Sequence, residues 1–393
     1  MDGLRALAVT VVFVEHFGGG SHGGPFLAWF NRAREIGSYG VSLFFVLSGF
    51  LITGILYDTL GSGHYFKNFY ARRSLRIFPI FYLVMAVCLI LTPVLHFRLQ
   101  WAHISFLFYL GNLFANWNWS LYELISPTHP AWSINLAHLW SLFVEEQFYL
   151  IWPVVIYLVR DRIKLIKLSL FVIMMVLLVR IGMACLVPMQ AAEQFAYRML
   201  PTRADDLLVG AAMALLLRGP KAEKWLRSAS FFLLFGLYPF VLLAFPRENF
   251  RFVAPYNLTI GLTFISLASA GLIGLCIQRG TAVFRILSLP PLRLIGKYSY
   301  GFYIYHILFD KGRGVYLAWC MTSFHSMAIG GLVYAFTSYL GVLVVAGLSY
   351  ELFEKRFLAM KSRFPSEVRP AAPQNVPTVN EDETVANGKL ALE

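Results

Sequence analysis

Four short stretches place ionisable side chains at spacings suited to acid–base and anion-binding chemistry. The first is LRALAVTVVFVEHF, Leu4 to Phe17, which carries Arg5, Glu15 and His16. Arg5 and His16 are eleven positions apart. At about 100° per residue that spacing returns to within about 20° of one direction, so both fall on one helix face. A rise of about 1.5 Å per residue sets them roughly 16 Å apart, too far to touch but suited to lining one groove. Glu15 points about 100° away from His16 and cannot orient it from the same helix. An imidazole in such a groove can serve as a general base or a nucleophile. Taken singly, Arg5 also reads as a snorkelling anchor and His16 as a hydrogen-bonded core residue.

The second stretch is FYARRSLRIFPIFY, Phe69 to Tyr82, preceded by Lys67. Arg73 and Arg76 share a helix face, and guanidinium groups grip phosphate with two parallel hydrogen bonds. Plain basic decoration of a membrane surface is the alternative. The third is LWSLFVEEQFYLIWP, Leu139 to Pro153, with Glu145 and Glu146 deep in an apolar run. Glu145 and His16 come to similar depths for a hydrocarbon core of about 30 Å, which suggests a base with an orienting carboxylate. A structural carboxylate bonded to backbone or tyrosine is the alternative. The fourth is KYSYGFYIYHILFD, Lys297 to Asp310, where His306 and Asp310 are spaced to pair on one helical face.

Other polar residues read as structural. Ser42 and Ser48, with Gly40, Gly49 and Gly54, suit close helix packing. Asp205 and Asp206 follow Arg203 and read as an interfacial ion cluster, and Glu351 and Glu354 lie beside Lys355 as a solvated ion pair. Arg180 has no evident role. Cys88, Cys185, Cys276 and Cys320 are single, without metal-ligand spacing, and read as packing residues.

These side chains must be held by membrane helices. Of 393 residues, 58% are hydrophobic and only 14% charged, with mean hydropathy +0.63. A soluble domain has about 25% charged residues. The net charge of +12 is gathered in short clusters between apolar runs, the pattern of membrane topology rather than of nucleic-acid binding. Apolar runs recur at 4–17, 39–57, 77–95, 104–117, 138–158, 168–187, 204–217, 230–246, 257–277, 298–317 and 327–350. If every run but 104–117 crosses, segments 58–76, 159–167, 218–229 and 278–297 and the residues after 354 share one side, and all are rich in Lys and Arg. Segment 118–137 on the other side has neither. The positive-inside rule then predicts an all-α polytopic protein of about ten spans, both termini cytoplasmic, with 104–117 a re-entrant or interfacial helix whose exit carries Trp117 and Trp119. Residues 1–357 form the transmembrane domain, and 358–393 read as a cytoplasmic, largely disordered tail.

Taken in order, the four stretches and GVSLFFVLSGFLI resemble the acyltransferase-3 family of integral membrane O-acyltransferases, from Asp2 to about Phe357. DGLRALAV with a later histidine resembles the family's first helix. The RxxR and IxPxY pattern of FYARRSLRIFPIFY, together with LWSLFVEEQFYLIWP and YSYGFYIYH, are similar to its further motifs. The resemblance implies a multi-pass protein of the cytoplasmic membrane. Such a protein moves an acyl group, commonly acetyl, from cytoplasmic acyl-CoA to a hydroxyl of a cell-surface or lipid-linked carbohydrate. Arg5, Arg73 and Arg76 then bind the CoA phosphates, and His16 acts as base or acyl carrier with Glu145 fixing its tautomer. Trp140, Tyr149, Tyr303 and His306 contact the acceptor. The expected partners are acyl-CoA, a glycan and membrane lipid, with no permanently bound cofactor, metal or nucleic acid. The competing reading is a transporter or flippase that uses the buried charges as a proton relay.

Overall fold

Uninterrupted apolar runs in lipid must satisfy every backbone N–H and C=O internally, and helices do so. The computed structural model describes residues 1–17, 34–116, 118–244 and 255–365, and these are almost wholly helical. The chain passes through α1 (Asp2–Phe17), α2 (Gly40–Asp58), α3 (Tyr65–Leu95), α4 (Trp140–Val159), α5 (Arg162–Leu186) and α6 (Leu200–Leu216). It continues through α7 (Ala229–Ala244), α8 (Leu262–Ile277), α9 (Pro290–Tyr305), α10 (Asp310–Ser323) and α11 (Met327–Ser349). Among the described residues, six helical stretches are long and apolar enough to cross a membrane: Arg34–Asp58, Tyr65–Leu95, Ala137–Val159, Arg162–Leu186, Asn257–Ile277 and Met327–Arg363. Helices α1 and α9 have 16 residues each and are shorter than the roughly 20 that span the hydrocarbon.

Helix α1 lies inside the bundle. Leu4, Ala8, Val12 and Phe13 are buried against α2, α9 and α11. Helix α2 packs on α6 at a distance only glycine permits. A Cβ on Gly49 would stand 1.9 Å from the Leu207 carbonyl oxygen, and one on Gly210 would stand 2.0 Å from that of Val46. The packing role expected of Gly49 is therefore met. The charges of α6 are not interfacial. Arg203, Asp205 and Asp206 are fully buried, Arg203 pairs with Asp206 at 2.6 Å, and Asp205 pairs at 2.6 Å with Arg180 of α5. Cys88, Cys276 and Cys320 are buried, whereas Cys185 is exposed on the outer face of α5.

Two apolar runs differ from expectation. Run 104–117 breaks into the short helices Ile104–Leu107 and Gly111–Ala115, separated by Tyr109 in the left-handed region at φ 57°. The run is therefore not one helix, and neither piece is long enough to span the hydrocarbon. Trp117 and residues 366–393 of the expected tail fall outside the described residues. Run 298–317 is also not one helix. It stops after Tyr305 and restarts at Asp310, and the break is met by a segment distant in the chain, before α4. There β1 (Glu123–Leu124) and β2 (Ile134–Asn135) form an antiparallel hairpin in register Glu123 to Asn135. Asn135 N–H donates to the Leu308 carbonyl at 2.8 Å. His138 Nε2 donates to the Ile304 carbonyl at 2.9 Å, and His306 Nδ1 to that of Tyr303 at 2.6 Å. These donors satisfy carbonyls at the break, which is how irregular backbone is tolerated at membrane depth.

Candidate active site

Helices α1, α2, α3, α4 and α9 enclose a cavity of about 110 Å³ lined by Arg5, Ser48, Arg73, Arg76, Glu145 and Tyr149, among others. Arg73 lies over the Tyr149 ring, its Cζ 5.2 Å from the centroid. Ser48 hydrogen-bonds the Tyr149 hydroxyl. Arg5 is anchored to Asp2 at 2.7 Å, one helical turn earlier. Arg73 and Arg76 also line a second cavity of about 150 Å³ with Arg72, Tyr65, Phe69 and Lys361. The two cavities share these arginines and form a cationic funnel from the end of the bundle towards Glu145.

A third cavity, of about 240 Å³, lies at the other end of α1 and is lined by Glu15, His16, Asn135, His138, Trp140, Asp310 and Arg313, among others. Val41 and Tyr303 line both it and the Glu145 cavity. The Tyr303 hydroxyl is held in this partition by Ser141 at 2.7 Å and by the His138 carbonyl at 3.0 Å. His16 Nδ1 meets the Val12 carbonyl at 2.9 Å. A carbonyl only accepts, so Nδ1 carries the proton and Nε2 keeps a lone pair for an incoming hydroxyl. The His16 ring lies edge-on to His306 with centroids 5.0 Å apart, and His306 lies 5.3 Å from His138. Arg313 covers Phe17 at 4.2 Å, pairs with Asp310 and donates to the His16 carbonyl at 3.3 Å. Arg313 therefore fixes the end of α1.

A family model described as an acyltransferase domain matches residues 1–351. The chain belongs to the acyltransferase-3 family. A putative peptidoglycan O-acetyltransferase, YrhL of Bacillus subtilis, is 33% identical over 326 residues, covering 78% of this chain and 47% of that protein. Peptidoglycan O-acetyltransferase OatA of Listeria monocytogenes is 32% identical over 324 residues, 78% of this chain and 48% of the relative. O-acetyltransferase OatA of Staphylococcus aureus is 28% identical over 330 residues, 78% of this chain and 49% of the relative. The chain thus spans about half the length of these relatives. No solved structure matches it.

Within this acyltransferase-family fold, Arg5, Arg73, Arg76, Glu145 and Tyr149 come together, and so do His16 and Trp140. Tyr303 stands between the two groups. His306 is buried behind His16 rather than lining the cavity. Two expected pairings are replaced. Glu145 does not share the His16 cavity, and the group that holds the His16 ring is the Val12 carbonyl of its own helix. His306 does not pair with Asp310, because the helix breaks between them and Asp310 turns to Arg313. His138, Arg313 and Ser48 were not identified from spacing. His138 and Arg313 join the site through the loop and the helix break. Ser48, read as a packing residue, lines the Glu145 cavity and holds Tyr149.

Proposed function

We propose that the chain is a multi-pass O-acyltransferase of the cytoplasmic membrane, moving an acetyl group from cytoplasmic acyl-CoA to a hydroxyl of a cell-wall carbohydrate. The names of its relatives support peptidoglycan as the acceptor. The observation that carries this reading is the pair of cavities in line. One is cationic, the other holds His16, and Val41 and Tyr303 line both. With both termini cytoplasmic, as the basic segments predict, the cationic funnel faces the side where acyl-CoA is made.

In this scheme Arg73 and Arg76 hold the donor's pyrophosphate, and the pantetheine arm runs past Arg5 and Tyr149 to the partition. The acceptor hydroxyl enters the His16 cavity and gives its proton to Nε2. Its oxygen attacks the thioester carbonyl, the C–S bond breaks, and CoA leaves as thiolate to take up a proton. Arg313 keeps the His16 backbone in place, and Glu145 stays with the donor.

The test is transfer by the purified protein in lipid nanodiscs, with acetyl-CoA and a muramyl glycan. Mass spectrometry should show the glycan gaining one acetyl group. His16→Ala should lower the rate by about 10² to 10⁴ fold, the range for a positioned general base, with normal membrane insertion. Full activity in that variant removes His16 from the chemistry. Solute uptake that needs no acyl-CoA would instead establish transport.

A further inference from the structure

We propose that Lys361 binds the 3′-phosphate on the ribose of the CoA donor. This inference rests on the donor reading above and extends the site to residues beyond the family-matched segment 1–351. Lys361 sits in the helical turn Met360–Arg363 that follows α11. Three side-chain hydrogen bonds fasten this turn and the residues after it over the start of α3. Arg72 Nη1 donates to the Lys361 carbonyl at 3.3 Å and to the Phe364 carbonyl at 2.9 Å. Asn68 Nδ2 donates to the Pro365 carbonyl at 2.8 Å. The result is that the Lys361 side chain lines the outer cavity of the funnel together with Arg73 and Arg76.

Lys361 is half-buried among arginines, unlike several cations of the chain that face a carboxylate. Lys297 and Lys355 both pair with Glu351, and Arg227 pairs with Glu223. Among the described residues no carboxylate pairs with Lys361, and Arg72, Arg73 and Arg76 line the same cavity. Like charges brought together repel unless an anion is supplied, and Arg72 is already committed to backbone carbonyls. The anion must therefore be polyvalent and come from the end of the bundle. The order of the cavities decides which phosphate it is. The inner cavity takes the pantetheine arm, and the arginines common to both cavities take the pyrophosphate. What remains beyond them is the adenosine with its 3′-phosphate, where Lys361 waits beside the rings of Tyr65 and Phe69.

The experiment measures dissociation constants of CoA and of 3′-dephospho-CoA for the full chain in zwitterionic nanodiscs. Wild type should prefer CoA by on the order of tenfold or more, as expected for a phosphate contact to a charged donor. Lys361→Gln should bring the two constants together by weakening CoA alone, and Lys361→Arg should restore the preference. Unchanged binding of dephospho-CoA by the Gln variant shows that the fold is intact. A wild-type preference that persists in Lys361→Gln, or no preference in wild type, overturns the assignment. If wild type binds neither nucleotide, the donor reading itself falls and the assignment with it.

Discussion

His16 suits the proposed role of base because one of its nitrogens is committed and the other is not. The Val12 carbonyl takes the Nδ1 proton at 2.9 Å, a task that in many active sites falls to a carboxylate. This leaves Glu145 to the proposed donor cavity, with Ser48, Arg73 and Tyr149. The two arrangements predict different behaviour for Glu145→Gln. If Glu145 served His16, removing its charge would shift the pH at which kcat rises. With Glu145 confined to the donor cavity, that profile should stay in place while the KM for acetyl-CoA changes. A pH–rate profile of kcat alongside donor KM separates the cases, and a displaced profile would return Glu145 to the base.

At the scale of elements, the bundle is fixed where α5, α6 and α8 meet. Arg180 and Asp205 are fully buried and paired at 2.6 Å, and Thr263 of α8 donates to Asp205 at 2.8 Å. A buried charge that loses its partner costs about 3–5 kcal/mol, whereas replacing both by apolar groups is often neutral. Asp205→Leu should therefore lower the thermal midpoint strongly, and Arg180→Leu with Asp205→Leu should recover most of it. A double variant as unstable as the single one would show that the pair is needed for more than mutual neutralisation. How much of this was legible from the sequence varies with the kind of signal. The shared face of Arg5 and His16 and that of Arg73 and Arg76 were visible because α1 and α3 are regular there and helical period carries the information. Asp205 gave no sign of its partner, because Arg180 reaches it from another helix. His306 and Asp310 were misplaced for a related reason. Their spacing pairs them only on an unbroken helix, and the break depends on donors from Asn135 and His138, far away in the chain.

For the whole molecule, the proposed orientation rests on the arrangement of charge. The end that holds the cationic funnel also gathers the loop cations. Arg218 after α6 pairs with Asp58 at the end of α2, and Arg162 at the start of α5 donates to the Leu215 carbonyl at 3.3 Å. The opposite end carries the hairpin, and two of its cations are matched locally, Arg313 by Asp310 and Lys311 by Glu123. Helix α4 links the two ends. Its 20 residues rise about 30 Å, the thickness of the hydrocarbon core. Asn118 precedes this helix and Lys164 follows it, and both are exposed. Cysteines placed at these positions, in a chain whose exposed Cys185 has been replaced, should label from opposite sides of sealed vesicles. Lys164→Cys should react from the cytoplasmic side and Asn118→Cys from the outside. Labelling of Lys164→Cys from the outside would move the cationic funnel away from the cytoplasmic pool of acyl-CoA, and the proposed direction of transfer would fail with it.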